Sequence, residues 1–138
     1  MADPRAFVSF DFDHNEVSRN LFVGQAKSSS PTPFTVSDWS SKAALSQAQW
    51  ERLIADKISR TNLVIVLMGR YMASALGVAK EIAVAKRNRV PVFGVYVENA
   101  GTGSTLPSGL SRNRVVPWTW PNIAAGIKTC MNEGKNAS

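Results

Sequence analysis

With 138 residues, 44% of them hydrophobic and 19% charged, the chain has the size of one domain that buries most of the surface of its core. A single cysteine, Cys130, excludes an internal disulfide; the start Met-Ala-Asp-Pro-Arg lacks a signal peptide's charged and apolar regions, and no apolar run approaches the roughly 20 residues of a membrane helix. The expectation is a soluble, cytoplasmic protein without membrane contact, and its net charge of +6 is scattered from Arg19 and Lys27 to Arg112 and Lys135 rather than gathered into a nucleic-acid-binding block.

In chain order, Ala6-Phe-Val-Ser-Phe10 predicts a first strand. Asp13 and Glu16 form a capping-box signal for a helix running to about Ala26, and Lys27-Ser-Ser-Ser-Pro-Thr-Pro33 is a polar turn. Phe34-Thr-Val36 predicts a weak second strand at the sheet edge, followed by a loop over residues 37–42. Ser46 and Gln49 form another capping box, opening a helix that carries Trp50, Leu53, Ile54, Lys57 and Ile58 at helical spacing.

The next stretch organises the chain. Residues 63–68 are a continuous apolar, largely β-branched run, the pattern of a strand covered on both faces, and Gly69 ends it. Leu76, Val78, Ala79, Ile82, Ala83 and Lys86 then predict an amphipathic helix, closed by Arg87-Asn-Arg-Val-Pro91 with cations at its negative end. Inside this helix lies Glu81, with Gly77 and Ser74 one and two turns before it and no charge partner within one turn. Residues 92–97 predict a fourth strand, residues 98–109 a mobile surface loop with three glycines and a proline, and residues 114–118 a fifth strand. Pro121 opens a last helix with Ile123, Ile127, Cys130 and Met131 on its apolar face, and fraying is expected after Glu133.

Strands alternating with helices through right-handed crossovers predict a single α/β domain, with its core at about residues 5–132. Its expected form is a three-layer flavodoxin-like fold with a parallel five-stranded sheet in the order 2-1-3-4-5. Ligands in such sheets bind outside the carboxyl ends of the strands. The residues delivered there are Asp11, Phe12, Asp13 and His14 after the first strand, Asp38 and Trp39 after the second, and Arg70 and Tyr71 after the third, with Glu81 and Ser74 facing the same cleft.

Other tenants of this architecture fail on their residues. A phosphoryl-accepting receiver needs an aspartate after the third strand and a lysine after the fifth, where this chain has Met68 and Trp118. A flavodoxin needs a phosphate loop after the first strand, and Asp11-Phe-Asp-His14 repels a phosphate. Gly101-Thr-Gly-Ser104 opens no helix and lacks the lysine of a P-loop, while one histidine and one distant cysteine supply no zinc site. No metal is therefore expected.

Phe7-Val-Ser-Phe-Asp11, Val36-Ser-Asp-Trp-Ser40, Ile58-Ser-Arg-Thr-Asn-Leu-Val-Ile-Val-Leu-Met-Gly69 and the helix with Lys80-Glu81-Ile82 resemble a TIR-like domain of the kind found in the bacterial Thoeris antiphage system, over about residues 5–97. The resemblance implies consumption of NAD as substrate, with no other cofactor. It also implies production of a cyclic ADP-ribose-type signal that activates a separate effector, and self-association. Glu81 corresponds to the TIR catalytic glutamate; Asp11, Phe12, His14, Asp38, Trp39, Arg70, Tyr71 and Ser74 are the substrate-binding candidates. Related domains often carry a tryptophan just before the glutamate, where this chain has Leu76-Gly-Val-Ala79.

The chemistry suits these residues. Breaking the nicotinamide–ribose bond releases a neutral leaving group while positive charge builds on the ribose carbon, so the site needs a carboxylate more than an acid. Phe12, Trp39 and Tyr71 offer stacking faces and Arg70 a phosphate partner. Plainer readings stand beside these: Glu81 as a solvated helix carboxylate, Asp13 as a cap, His14 and Arg70 as surface groups, and Trp39 and Tyr71 as packing. Two other functions compete, a non-catalytic TIR-type interaction module and a nucleoside or nucleotide N-glycosidase.

Overall fold

The computed structural model describes residues 5–10, 35–37, 46–69, 76–97, 101, 105–107 and 109–133. Its strands are β1 (Arg5–Phe10), β2 (Thr35–Ser37), β3 (Leu63–Met68), β4 (Val92–Tyr96) and β5 (Val115–Val116). Between and after them run the helices α1 (Gln47–Ser59), α2 (Leu76–Arg87) and α3 (Trp120–Glu133). The strands pair in the order β2-β1-β3-β4-β5, every pair parallel.

A parallel sheet buries both faces, which is why β3 carries no polar residue and why all six of its side chains are buried. Alternation along the strands splits the core in two. Phe7, Val64, Val66 and Met68 pack with Trp50, Ile54 and Ile58 of α1 and with Val78, Ile82, Val84 and Ala85 of α2. Ala6, Val8, Leu63, Ile65, Leu67, Phe93 and Val95 face the other way, onto Ile123, Ile127 and Cys130 of α3. The helix layer over Phe93 comes unusually close at Gly126, where an added Cβ would lie 2.6 Å from the ring.

Local signals explain the helix starts. Ser46 accepts from the Gln49 backbone N–H at 3.2 Å, and the Gln49 side chain returns to the Ser46 N–H at 3.1 Å, so the expected capping box is formed. Trp50, Ile54 and Ile58 then lie one turn apart on the buried face. Pro121 sits in the first turn of α3, where its missing N–H costs no helix bond.

Several expectations need correction. The second strand is one residue later than residues 34–36, and Ser37 belongs to it rather than to the following loop. The fourth strand stops at Tyr96, although the Val97 N–H still bonds the Met68 carbonyl at 3.1 Å. The fifth strand is only Val115–Val116, because Arg112–Arg114 forms a 3-10 turn and Arg114 turns its guanidinium back onto the Val92 carbonyl at 2.8 and 3.0 Å. Met131 is 40% exposed and off the apolar face of α3. On α2, Ala83 and Lys86 are exposed; Val84 and Ala85 are buried instead. The helix expected over residues 13–26, the turn over 27–33, the loop after Ser37 and most of residues 98–108 lie outside the described residues, as do residues 134–138. Among the described residues no helix is long and apolar enough to cross a membrane.

Candidate functional site

α2 presents Val78, Ile82 and Ala85 to the sheet, and Glu81 falls within that stripe, because residues three and four apart share one side of a helix. Glu81 is therefore only 8% exposed, which overturns its reading as a solvated helix residue. Burying a carboxylate removes strong hydration, so it persists only where hydrogen bonds replace the lost water. One of them comes from β1: the Ser9 hydroxyl donates to Glu81 Oε1 at 2.6 Å.

Ser9 is itself fully buried. It shares the Phe7 side of β1, the side covered by α1 and α2, and pairs in register with Val66 of β3. Since Ser9 is the residue before the last of β1, the contact sits toward the carboxyl ends of the central parallel strands. The neighbouring Lys80 instead pairs with Glu51 of α1 at 2.8 Å, and that pair is about half exposed. Adjacent positions on α2 thus carry a surface ion pair and a buried, hydroxyl-held acid.

Ser9 is the site residue that the sequence reading missed. Its signal was available: a hydroxyl in an otherwise apolar, both-faces-buried strand needs a polar partner inside the protein. Asp11 directly follows β1, Asp38 directly follows β2, and Arg70 follows Gly69 after β3. These three, with Phe12, Asp13, His14, Trp39, Tyr71 and Ser74, lie outside the described residues, so of the candidates only Glu81 has a described side chain. Among the described residues no three His, Cys, Asp or Glu come together in a metal-binding group.

A different electrostatic site occupies the other side of the sheet. Arg114 forks onto Glu133 at 2.9 and 3.1 Å and lies 3.7 Å from Cys130 Sγ. Burial opposes the Arg114 charge, but Glu133 and Cys130 together outweigh it and the guanidinium is held above its ordinary value. Burial pushes the Cys130 thiol up to about 11, against the pull of Arg114, so this thiol stays protonated and inert.

The family model for the "Thoeris protein ThsB, TIR-like domain" matches residues 7–102, a span that includes Ser9 and Glu81. Among solved structures, a prokaryotic SEFIR domain is similar with a TM-score of 0.53 over 94% of this chain and 91% of that one, at 13% identity, a likeness of fold alone. No curated protein matches the chain. The matched span covers more than half of the chain and carries the buried acid and its hydroxyl partner; the chain belongs to the Thoeris ThsB TIR-like domain family.

Proposed function

We propose that this domain cleaves NAD between nicotinamide and ribose, in the cytoplasm, and releases a cyclic ADP-ribose-type signal that activates a separate effector in antiphage defence. The observation that carries this reading is the buried Glu81 carboxylate, fixed by the Ser9 hydroxyl at 2.6 Å, in a chain of the Thoeris TIR-like family. A carboxylate with no role beyond the fold is poorly placed in an apolar helix face, where an aliphatic side chain packs at lower cost.

In the cleft, Glu81 accepts hydrogen bonds from the ribose hydroxyls and faces the oxocarbenium-like charge as the bond to nicotinamide breaks. Nicotinamide leaves neutral, so no side chain has to deliver a proton to it. Ser9 is a positioning residue: it fixes one carboxylate oxygen, so the acid spends no reorganisation when the charge develops. Phe12, Trp39 and Tyr71 stack on the bases, Arg70 holds a phosphate, and Asp11, His14, Asp38 and Ser74 complete the substrate contacts. Attack on the ribose carbon by the substrate's own adenine closes the ring; attack by water gives the open product.

The second reading is a non-catalytic interaction module acting through homotypic contacts, and the tryptophan-free Leu76-Gly-Val-Ala79 segment before Glu81 favours it. Incubating the purified protein with NAD, at concentrations that allow self-association, and following free nicotinamide by chromatography separates the two. Nicotinamide release supports the enzyme; intact NAD in the assembled, triggered protein supports the module. Glu81-dependent hydrolysis of another nucleotide would keep the site and replace its substrate.

A further inference from the structure

Ser9 of β1, Val66 of β3, Gly94 of β4 and Val115 of β5 lie in register and form one row across the sheet. Val66 and Val115 belong to the core cluster on the α1 and α2 side, so the whole row faces those helices. At one end of the row Ser9 holds Glu81 of α2 at 2.6 Å. Further along, Gly94 contributes no side chain, and Leu110 takes the place: a Cβ added at Gly94 would lie 3.1 Å from Leu110 Cδ2. Leu110 is 6% exposed and shares its cluster with Ile82, the residue that follows Glu81 on α2.

The preceding residue fits on the helix side in the same manner. Gly109 has φ 91, in the left-handed region that favours glycine, and a Cβ there would lie 2.9 Å from Ile82 Cγ2 and 3.7 Å from Lys86 Cε. The Leu110 N–H bonds the Pro107 carbonyl at 3.3 Å and closes the turn that presents both residues. Leu110 thus enters a place left open in β4, while Gly109 lays bare backbone against α2. Hydrophobic burial of a leucine requires neither glycine; two contacts trimmed to that size set the spacing between β4 and α2 to within a few tenths of an ångström.

We propose that Gly109 and Leu110 form a wedge between β4 and α2 that sets where the helix lies over the row, and so delivers Glu81 onto Ser9. Both are positioning residues that act through Ile82 and the body of the helix. Their effect on turnover rests on the proposed cleavage of NAD, since a group in such a site must be held within about 0.5 Å of its working position. The Ser9–Glu81 contact that they set exists whatever the substrate.

Denaturant melts of Gly94→Ala, Ser9→Ala and the double variant test the wedge without NAD. Ser9 and Gly94 are two strands apart, about 10 Å, a separation at which substitutions without shared partners have additive effects. If the wedge sets the contact, Ser9→Ala costs less once Gly94→Ala has pushed Leu110 outward, and the unfolding constant of the double variant falls short of the product of the single effects by about threefold or more. Gly109→Ala, which presses on Ile82 from the other side, should couple to Ser9→Ala in the same way; if it does not fold, Gly94→Ala carries the test. In nicotinamide release per folded molecule, each glycine variant should lose about tenfold in kcat with KM little changed. Leu110→Val, which draws the side chain back from the added Cβ, should restore most of kcat in the Gly94→Ala background. Leu110 and Gly109 in a packing role alone would alter the melts and leave kcat of the folded protein at the parent value. Additive melts overturn the wedge, as does an unchanged kcat in the glycine variants of a protein that releases nicotinamide. Coupled melts in a protein that releases none uphold the wedge and remove NAD cleavage instead.

Discussion

Two glutamates at different places on the sheet show what separates a structural acid from a candidate catalytic one. Glu133 sits half open at the end of α3 and forks onto Arg114, which in turn braces the Val92 carbonyl and so ties α3, β4 and the start of β5 together. Glu81 sits in the apolar face of α2, 8% exposed, and is held by the hydroxyl of Ser9. The first arrangement is explained by the three elements it joins. The second buries an acid in an apolar helix face, joined to β1 through one hydroxyl, and it is this placement that the proposed catalytic role would explain.

The largest effect that separates the two acids is on turnover. Glu81→Gln keeps the length of the side chain and an oxygen to accept from Ser9, and removes the charge that the cationic transition state feels. NAD cleavage should fall on the order of 100-fold or more, the scale of one key electrostatic contact, while stability changes by no more than about 1 kcal/mol.

Arg114→Met should do the reverse. It keeps much of the packing of the stem but strips donors from the Val92 carbonyl and the partner from Glu133, at a cost of about 2 kcal/mol in denaturant melts, with nicotinamide release from the folded protein unchanged. An activity loss beyond the loss of folded protein would show that the two regions are not separate.

The pH dependence of stability sharpens the structural half of the comparison. The Cys130 thiol ordinarily titrates near 9.0 and is raised in the fold to about 11 by burial. Between those values the unfolded chain has released the proton and the folded one still holds it, so the native state loses stability as pH rises. The loss amounts to about 1–2 kcal/mol by pH 11, and all of it is present as stability below pH 9. Comparing melts of the parent and Cys130→Ala from pH 8 to 11 isolates the effect: the alanine variant should show the shallower decline.

The smallest effect concerns positioning. Ser9→Ala removes one hydrogen bond to the Glu81 carboxylate, so kcat and kcat/KM should fall together by about tenfold with KM little changed, the signature of an interaction that matters in the transition state. A rise in KM alone would make Ser9 a substrate-binding residue instead.

The α/β alternation was legible because its signals are local and strong. The unbroken apolar run of β3 cannot be half exposed, and the Ser46–Gln49 box defines a helix start by itself. The buried face of α2 was legible only in part: Val78 and Ile82 are buried as expected, but Ala83 and Lys86 are not, because alanine and lysine fit either side of a helix. The sequence reading widened the face from Val78 and Ile82 toward Ala79, Ala83 and Lys86, whereas packing widens it toward Glu81, Val84 and Ala85. Widening it the second way places Glu81 inside the core face. The short β5 was hidden for another reason: Arg114 reads as part of a strand until Val92 and Glu133, 22 and 19 residues away, are brought beside it.

The proposed function requires Glu81-dependent cleavage of NAD. The most direct measurement is nicotinamide release by the parent and by Glu81→Gln, at equal concentrations of folded, self-associating protein as judged by their melts. The parent should release nicotinamide, and the variant should do so at a rate at least about 100-fold lower. Equal rates in the two proteins, or no release from either, would contradict it.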